Sequence, residues 1–149
     1  MLTTFIACFA FLTAVPVTRA EELQDFLKRT GTGNATTNDL HEAFHTIAFV
    51  RGETFKMNRD EILKFWEQQK ASGIKLVINS FDVISETESP DDDGKGAVIS
   101  VVAKTSVTED VRGSINKIES TSHFIVLRDD KGSFHLLCAT VPKQVRHAS

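Results

Sequence analysis

The sequence predicts an α+β domain in which N-terminal helices pack on a curved antiparallel sheet of about four to six strands. Three observations indicate this class. Apolar residues in the first half recur at helical spacing, residues in the second half alternate between apolar and polar, and turn residues separate the alternating segments. Because the helices precede the strands along the chain, the predicted order is that of an α+β fold rather than of alternating βα units.

Two of the predicted helices have clear end signals. The first covers 23–29, where two glutamates precede the apolar stripe and Lys28-Arg29 ends it, as the helix dipole favours. The other covers 58–72, where Asn58 and Glu61 form a capping pair before a run of residues with helical periodicity.

Another helix is predicted over 40–48, between these two. Leu40, Phe44 and Ala48 recur at helical spacing, and Asp39 with Glu42 has the spacing of a capping pair. An extended passage is expected to follow, from 48 to 57, with a turn at Gly52.

Four strands are predicted in the second half, over 74–85, 97–107, 115–128 and 134–141. The alternation is clearest in 97–107, where one face carries mainly alanine, isoleucine and valine and the other carries polar residues at three of its five positions. The loop 129–132, Asp-Asp-Lys-Gly, is expected to join the last two strands as a hairpin.

Residues 1–20 have the pattern of a secretory signal peptide. The apolar run from Phe5 to Val15 is long enough for a signal core and too short to span a bilayer. The small residues Thr18 and Ala20 place the cleavage after Ala20. The predicted organisation is therefore a signal peptide at 1–20, one domain at 21–142 and a flexible tail at 143–149, in a secreted, extracellular protein.

Charge and cysteine content exclude several classes of protein. The chain has a net charge of −3 with acids and bases interspersed, so neither nucleic acid nor, after signal removal, a membrane is an expected partner. Cys8 lies in the signal peptide, which leaves Cys138 as a buried apolar residue, a free thiol or an intermolecular bridge. The sequence Asn34-Ala35-Thr36 is a glycosylation sequon in a loop rich in Gly, Thr and Asn.

A metal site is the first chemical hypothesis that the sequence raises. His41-Glu42-Ala43-Phe44-His45 matches the zinc-protease motif, in which two histidines one helical turn apart bind the metal and the glutamate acts as general base. Ala48 stands where the extended motif has glycine, and a third ligand would have to come from Glu61 or Glu67. The alternative places His41 towards solvent and His45 at the rim of a pocket, with no metal or other cofactor.

Three segments together resemble the nuclear transport factor 2-like superfamily, which has a cone-shaped α+β fold and includes SnoaL-like domains. They are Phe44–Val50, Phe55–Trp66 with its Glu-Ile-Leu-Lys-Phe-Trp helix, and the final hairpin Phe124–Leu137. The chain departs from the family pattern at Asn58-Arg59, where glycine is common, and at Phe134, where tryptophan is usual. The resemblance covers about Glu21 to Val141. Within the superfamily, the chain is similar to the small secreted members found in nematodes.

The resemblance implies an apolar cavity between the helices and the inner face of the sheet. Its candidate lining is mainly apolar: Phe44, His45, Phe49, Trp66, Phe81, Val101, Phe124 and Leu136. Polar points would come from Ser120, Ser122, His123 or His135. The first functional hypothesis is therefore a non-catalytic binding protein for a small apolar ligand or a protein partner, and a homodimer is a further expectation.

The superfamily also contains isomerases and dehydratases, so a small lyase or isomerase is the alternative. Asp82 with His45 or His123 is the candidate catalytic pair, with the aspartate as base. Steroid-isomerase-like members place a tyrosine in the oxyanion hole, and this chain contains no tyrosine. The remaining alternative is a zinc metalloprotease that uses His41, Glu42 and His45.

Overall fold

The structure of the protein is a computed structural model that describes residues 21–50, 53–141 and 144–148. The predicted signal peptide, its cleavage site at Ala20 and the expected turn at Gly52 lie outside the described residues. Among the helices that are described, none is both long and apolar enough to cross a bilayer.

Two helices and seven strands make up the described chain. In chain order they are α1 (Leu23–Gly31), a 3₁₀ turn (Thr37–Asp39), β1 (Leu40–Val50), β2 (Glu53–Asn58), α2 (Arg59–Ala71), β3 (Ile74–Pro90), β4 (Ala97–Val111), β5 (Ser114–Arg128), β6 (Phe134–Val141) and β7 (Gln144–Ala148). The predicted α+β class is confirmed, and helices α1 and α2 and strands β3 to β6 lie where the sequence predicts them.

The strands form one sheet in the order β2-β1-β6-β5-β4-β3, and β7 pairs with β5. Neighbouring strands are antiparallel except β1 and β6, which are parallel. The sequence did not predict this parallel pair, because β1 itself was expected to be a helix. The register shifts at 78–80 and 83–85 of β3, at 125–126 of β5 and at 40–45 of β1 are irregularities that bend a sheet.

The helix predicted over 40–48 is wrong, since Leu40–Val50 form β1. Phe44 and Ala48 fit helical spacing, but with Thr46 they also fit the alternation of a strand. An isolated helix this short is marginal in water, whereas β1 hydrogen-bonds to β2 on one side and to β6 on the other. The tertiary pairing therefore decides the conformation.

Of the two predicted helix-capping pairs, one is formed and the other is not. Asn58 accepts a hydrogen bond from the backbone N–H of Glu61, and the Glu61 carboxylate accepts one from the Asn58 N–H, which confirms the capping pair of α2. The expected pair of Asp39 with Glu42 is not formed. Asp39 instead accepts from the backbone N–H of Thr36, in the capping box of the 3₁₀ turn.

The hydrophobic core lies between the two helices and the inner face of the sheet. Phe26 and Leu27 of α1 are 1% exposed and pack with Ile62 of α2 on residues of β4, β5 and β6. On β4 the inner positions Ile99, Val101 and Ala103 alternate with less buried outer ones. Burying these apolar side chains is the dominant favourable term in folding. No disulfide adds to it in the described part of the chain, where Cys138 is the one cysteine and is free.

The chain end differs from the flexible tail that the sequence predicts over 143–149. Gln144–Ala148 form β7, which pairs with residues 116–120 of β5. Because β6 pairs with β5 only over 123–128, it leaves the other half of that strand edge for β7.

A candidate binding cavity inside the cone

An apolar cavity of about 430 Å³ lies between α1, α2 and the inner face of the sheet. Aromatic and aliphatic side chains supply most of its wall. The helices contribute Leu27, Ile62, Phe65, Trp66 and Gln69. The strands contribute Phe44, Thr46, Phe55, Met57, Leu76, Ile78, Phe81, Thr105, Val107, Glu109, Ile118, Ser120, Ser122, Phe124, Leu136 and Ala139, among others. A volume and composition of this kind are typical of sites for small molecules.

Strand alternation and one irregularity decide which residues face the cavity. On β5, Ile118, Ser120, Ser122 and Phe124 follow one another at every second position. On β6, Leu136 pairs with Val126 and Cys138 pairs with Ile125, so Leu137 is an extra residue in the ladder. This bulge puts Leu136 on the inner face and Cys138 on the outer one.

The cavity is closed at one end of β4 and open towards the other. Val101 and Ala103 are buried, whereas Thr105, Val107 and Glu109 further along the same face are only half-buried. Phe55 of β2 and Phe65 of α2 line the cavity and are 42% and 37% exposed. These exposed aromatic residues mark the mouth.

Trp66 is positioned by the loop that follows α1. Gly33 has a φ of +81°, and a Cβ at this position would lie 3.1 Å from the indole ring of Trp66. The Gly33 carbonyl also accepts a hydrogen bond of 2.9 Å from Lys70 Nζ on the same helix as Trp66. The loop therefore holds α2 against the cavity, and a glycine is needed at its point of contact.

Three hydroxyl groups form a hydrogen-bonded row on the cavity wall, called here the hydroxyl row (Thr105, Ser120 and Ser122). The hydroxyl oxygens of Thr105 and Ser120 lie 2.9 Å apart, and those of Ser120 and Ser122 lie 3.4 Å apart. Phe81 and Phe124, whose rings stack with centroids 6.2 Å apart, line the wall beside the row. The row places three hydroxyl groups side by side on this mainly apolar wall.

Glu109 is the one ionisable side chain among the described residues that line the cavity. It lies on the half-buried part of β4, two residues beyond Val107 on the same face. The cavity therefore holds a single carboxylate rather than an acid and a base placed opposite each other.

The structure distributes the predicted pocket residues unevenly. Five of them line the cavity: Phe44, Trp66, Phe81, Phe124 and Leu136. Val101 is buried in the core next to it, and the side chain of Phe49 lies outside the described residues. His45 is exposed and its Nε2 lies 3.4 Å from the Sγ of Cys138, so it points to the outer face.

The catalytic candidates do not meet in the cavity. Asp82 pairs with Lys104 and lies in a polar groove on the outer face of the sheet. The imidazole of His123 lies on the same face, where its Nε2 is 2.6 Å from the hydroxyl of Ser100. The expectation that Asp82 acts with His45 or His123 inside the cavity therefore has no geometric support, because alternation places all three side chains on the other side of the sheet.

The zinc-protease geometry is lost with the helix that it required. On β1, His41 and His45 are four residues apart along a strand, which separates them by roughly 13 Å instead of one helical turn. His41 Nδ1 accepts a hydrogen bond from the backbone N–H of Ala43. In the described part of the chain, no three His, Cys, Asp or Glu side chains are grouped as metal ligands.

Sequence reasoning missed several wall residues. Phe55, Met57 and Phe65 line the cavity but were not among the candidates. A signal for Thr105 and Glu109 was available, because continuing the alternation of 97–107 by one more step reaches Glu109. The polar points His123 and His135 do not line the cavity, whereas Ser120 and Ser122 do.

Two ionic clusters fix the segment between α1 and β1, away from the cavity wall. Arg29 donates to both carboxylate oxygens of Asp39 and to both of Glu21. The hydrogen bonds from Arg29 hold the pKa of Asp39 below its usual range, against the effect of partial burial. His135 lies 2.7 Å from the Asn38 carbonyl oxygen and 2.9 Å from Asp129 Oδ2.

Comparisons with known proteins support the fold. No protein-family model matches the chain, and no curated protein matches its sequence. A conserved protein from Planctomyces limnophilus has 13% sequence identity and a TM-score of 0.55, over 81% of this chain and 87% of its own. A ketosteroid isomerase-like protein from Erwinia carotovora atroseptica has 10% identity and a TM-score of 0.52, over 79% and 87%.

A nuclear transport factor 2-like protein from Novosphingobium aromaticivorans has 17% identity and a TM-score of 0.47, over 95% of this chain and 89% of its own. Identities at this level show the fold alone. The two matches with TM-scores above 0.5 show that this chain shares its α+β fold, helices packed on a curved sheet, with the ketosteroid isomerase-like protein and the Planctomyces protein.

Proposed function

We propose that the protein is a non-catalytic binding protein whose cone cavity holds a small apolar ligand. The observation that carries this proposal is the cavity of about 430 Å³, walled mainly by aromatic and aliphatic side chains. Such a wall favours an apolar ligand, since transfer of apolar surface from water stabilises the complex. The exposed Phe55 and Phe65 at the mouth support entry from solvent.

A fluorescence titration tests the proposal. The uncharged dye N-phenyl-1-naphthylamine is expected to brighten with saturable, one-to-one binding. The substitution Ala139→Phe puts a ring into the cavity and should abolish this signal, whereas Ala71→Phe, at an exposed position on α2, should retain it. Phe65→Ala removes an aromatic residue of the mouth without filling the cavity and should weaken binding with the fold intact.

Two results would contradict the proposal. One is the absence of saturable dye binding by the folded wild-type protein. The other is equal dye affinity of the wild type and of a folded Ala139→Phe variant, because the dye would then lie elsewhere. Circular dichroism of each variant separates loss of the cavity from loss of the fold, which overpacking can cause.

The catalytic alternative has one supporting observation, the Glu109 carboxylate in an apolar cavity. A general base of a lyase or isomerase needs such a carboxylate within reach of the substrate. The two functions differ in the compound that co-purifies with the protein. A binding protein should carry the same compound in the wild type and in Glu109→Gln, whereas an enzyme should carry product in the wild type and substrate in the variant.

Export and self-association stay predictions. We propose that the protein follows the secretory route, which is supported by the signal-like residues 1–20 and by the exposed sequon asparagine, Asn34. A homodimer through the outer face of the sheet, or another protein partner, is tested by sedimentation velocity of the purified protein.

A further inference from the structure

We infer that the cavity selects an uncharged ligand that donates one hydrogen bond to the hydroxyl row, as an aliphatic alcohol does. This inference rests on the proposed binding function and names the chemical class of the ligand. Three features of the wall carry it: the hydrogen bonds within the row, the burial of Ser122, and the charge of the cavity lining.

The hydrogen bonds within the row leave acceptors open. Each hydroxyl group has one proton and two lone pairs. Thr105 can donate to the Ser120 carbonyl oxygen at 3.5 Å, Ser120 to Thr105 at 2.9 Å, and Ser122 to Ser120 at 3.4 Å. In this arrangement the three contacts use every hydroxyl proton of the row, and lone pairs remain on all three hydroxyl oxygens. The row can therefore accept a hydrogen bond from a ligand.

Ser122 is the residue of the row at which accepting a hydrogen bond from a ligand has the largest effect, because its hydroxyl group is buried. The residue is 3% exposed, pairs across the strands with the buried Ala103, and precedes the phenyl ring of Phe124 by two positions on the same face. A buried polar atom without a full set of partners costs free energy. A ligand hydroxyl that donates to the Ser122 oxygen would give this buried group a second partner, beside Ser120, inside the apolar wall.

The charge of the lining selects against anions. Among the described residues that line the cavity there is no lysine, arginine or histidine, and Glu109 is a carboxylate. A fatty acid anion would leave water without meeting a cation among these described lining residues. An alcohol of the same length has the same apolar body without this cost, so the wall favours the alcohol.

Competition for the naphthylamine dye tests the inference with three ligands of matched size. They are 1-dodecanol, the ether 1-methoxyundecane, which accepts but cannot donate a hydrogen bond, and dodecanoate. The alcohol should displace the dye at a concentration roughly three- to tenfold lower than the ether, which corresponds to one hydrogen bond. Dodecanoate should be the weakest competitor above the pKa of its carboxyl group.

Matched serine variants assign the effect to the hydroxyl row. Ser122→Ala should remove most of the preference for the alcohol over the ether while dye binding persists. Ser106→Ala is the control, because Ser106 is also a buried serine, 8% exposed, but lies on the outer positions of β4. This control should keep the wild-type preference.

The outcomes separate this inference from the binding function on which it rests. Equal displacement by alcohol and ether, an unchanged preference in Ser122→Ala, or tighter binding of dodecanoate would overturn the inference while the cavity still binds the dye. Failure of the folded wild-type protein to bind the dye or any of the three ligands would overturn the proposed function itself.

Discussion

His135 of β6 is hydrogen-bonded to Asp129 at the start of the β5–β6 loop, with Nε2 2.9 Å from Oδ2. Its other ring nitrogen, Nδ1, faces the Asn38 carbonyl oxygen at 2.7 Å. A carbonyl oxygen and an ionised carboxylate can only accept hydrogen bonds, so both bonds form together only when the imidazole carries two protons. The charged form of His135 therefore links the hairpin loop to the segment between α1 and β1.

The first prediction concerns the pH dependence of stability. Partial burial lowers the pKa of His135, but the hydrogen bonds to Asp129 and Asn38, with the nearby Asp39 charge, raise it more, so the net pKa is raised. A raised histidine pKa stabilises the fold fully below about pH 6.5, the unfolded value, and this contribution is lost as the pH rises through the folded value.

Thermal unfolding of the wild type and of His135→Gln between about pH 5 and pH 9 measures this contribution. At the acidic end, the free energy of unfolding of the wild type should exceed that of His135→Gln by less than about 1 kcal/mol, because the His135–Asp129 pair is partly exposed. This difference between the two proteins should shrink as the pH rises. His147→Gln removes a histidine that is more exposed and serves as the control. A difference that grows towards high pH would contradict the assignment.

Arg29 is predicted to stabilise the fold through its bonds to Asp39, at 2.8 and 3.0 Å. Arg29→Met keeps much of the side-chain length but removes both donors, and it should lower the free energy of unfolding by about 1 to 3 kcal/mol. Arg59→Met is the control, because Arg59 lies 3.9 Å from an Asp60 side chain that is 90% exposed. Urea denaturation measures both, and equal losses would argue against a specific role for Arg29.

Much of the fold follows from local patterns, as β4 and α2 show. The alternation from Ala97 to Val107 and the pair Asn58 with Glu61 each determine a conformation through contacts close in sequence. The segment 40–50 fits both periodicities, and its pairing with β6, about 90 residues away, decides between them. That long-range contact has no local signal, so the helix prediction was wrong, and the zinc-protease alternative lost the helical spacing that it required.

The site was predicted only in part for a related reason. Strand alternation reports which residues share a face, and Phe81 and Phe124 line the cavity. It does not report which face is the inner one, and the bulges at 79 and 137 change the side on which later residues lie. Asp82, His45 and His123 were grouped without that information, and they lie on the outer face.

The third prediction tests the core on which the cavity is built. Leu27 is 1% exposed, packs in the core and also lines the cavity, so Leu27→Ala should cost about 2 to 5 kcal/mol through lost burial and an enlarged cavity. Val77→Ala, at a site 58% exposed, should change stability by no more than about 0.5 kcal/mol. Chemical denaturation measures the free energy of unfolding of both variants. Equal losses in Leu27→Ala and Val77→Ala would contradict this packing.

The fourth prediction concerns export and the sequon. Expressed with residues 1–20 in a eukaryotic secretory host, the protein should reach the medium with a glycan on Asn34, which is exposed in the loop after α1. Treatment with an N-glycosidase should then reduce its apparent mass, and Asn34→Gln should already have the reduced mass. Retention of the unmodified chain inside the cell would contradict both the signal peptide and the glycosylation predictions.

The most direct test of the proposed cavity is to observe a ligand inside it by NMR. With isotope-labelled protein and unlabelled 1-dodecanol, nuclear Overhauser effects should connect the alkyl protons of the ligand to the rings of Phe81 and Phe124, which line the wall. Contacts confined to outer-face residues such as His123 and Ile125, or no contacts at saturating ligand, would contradict the account.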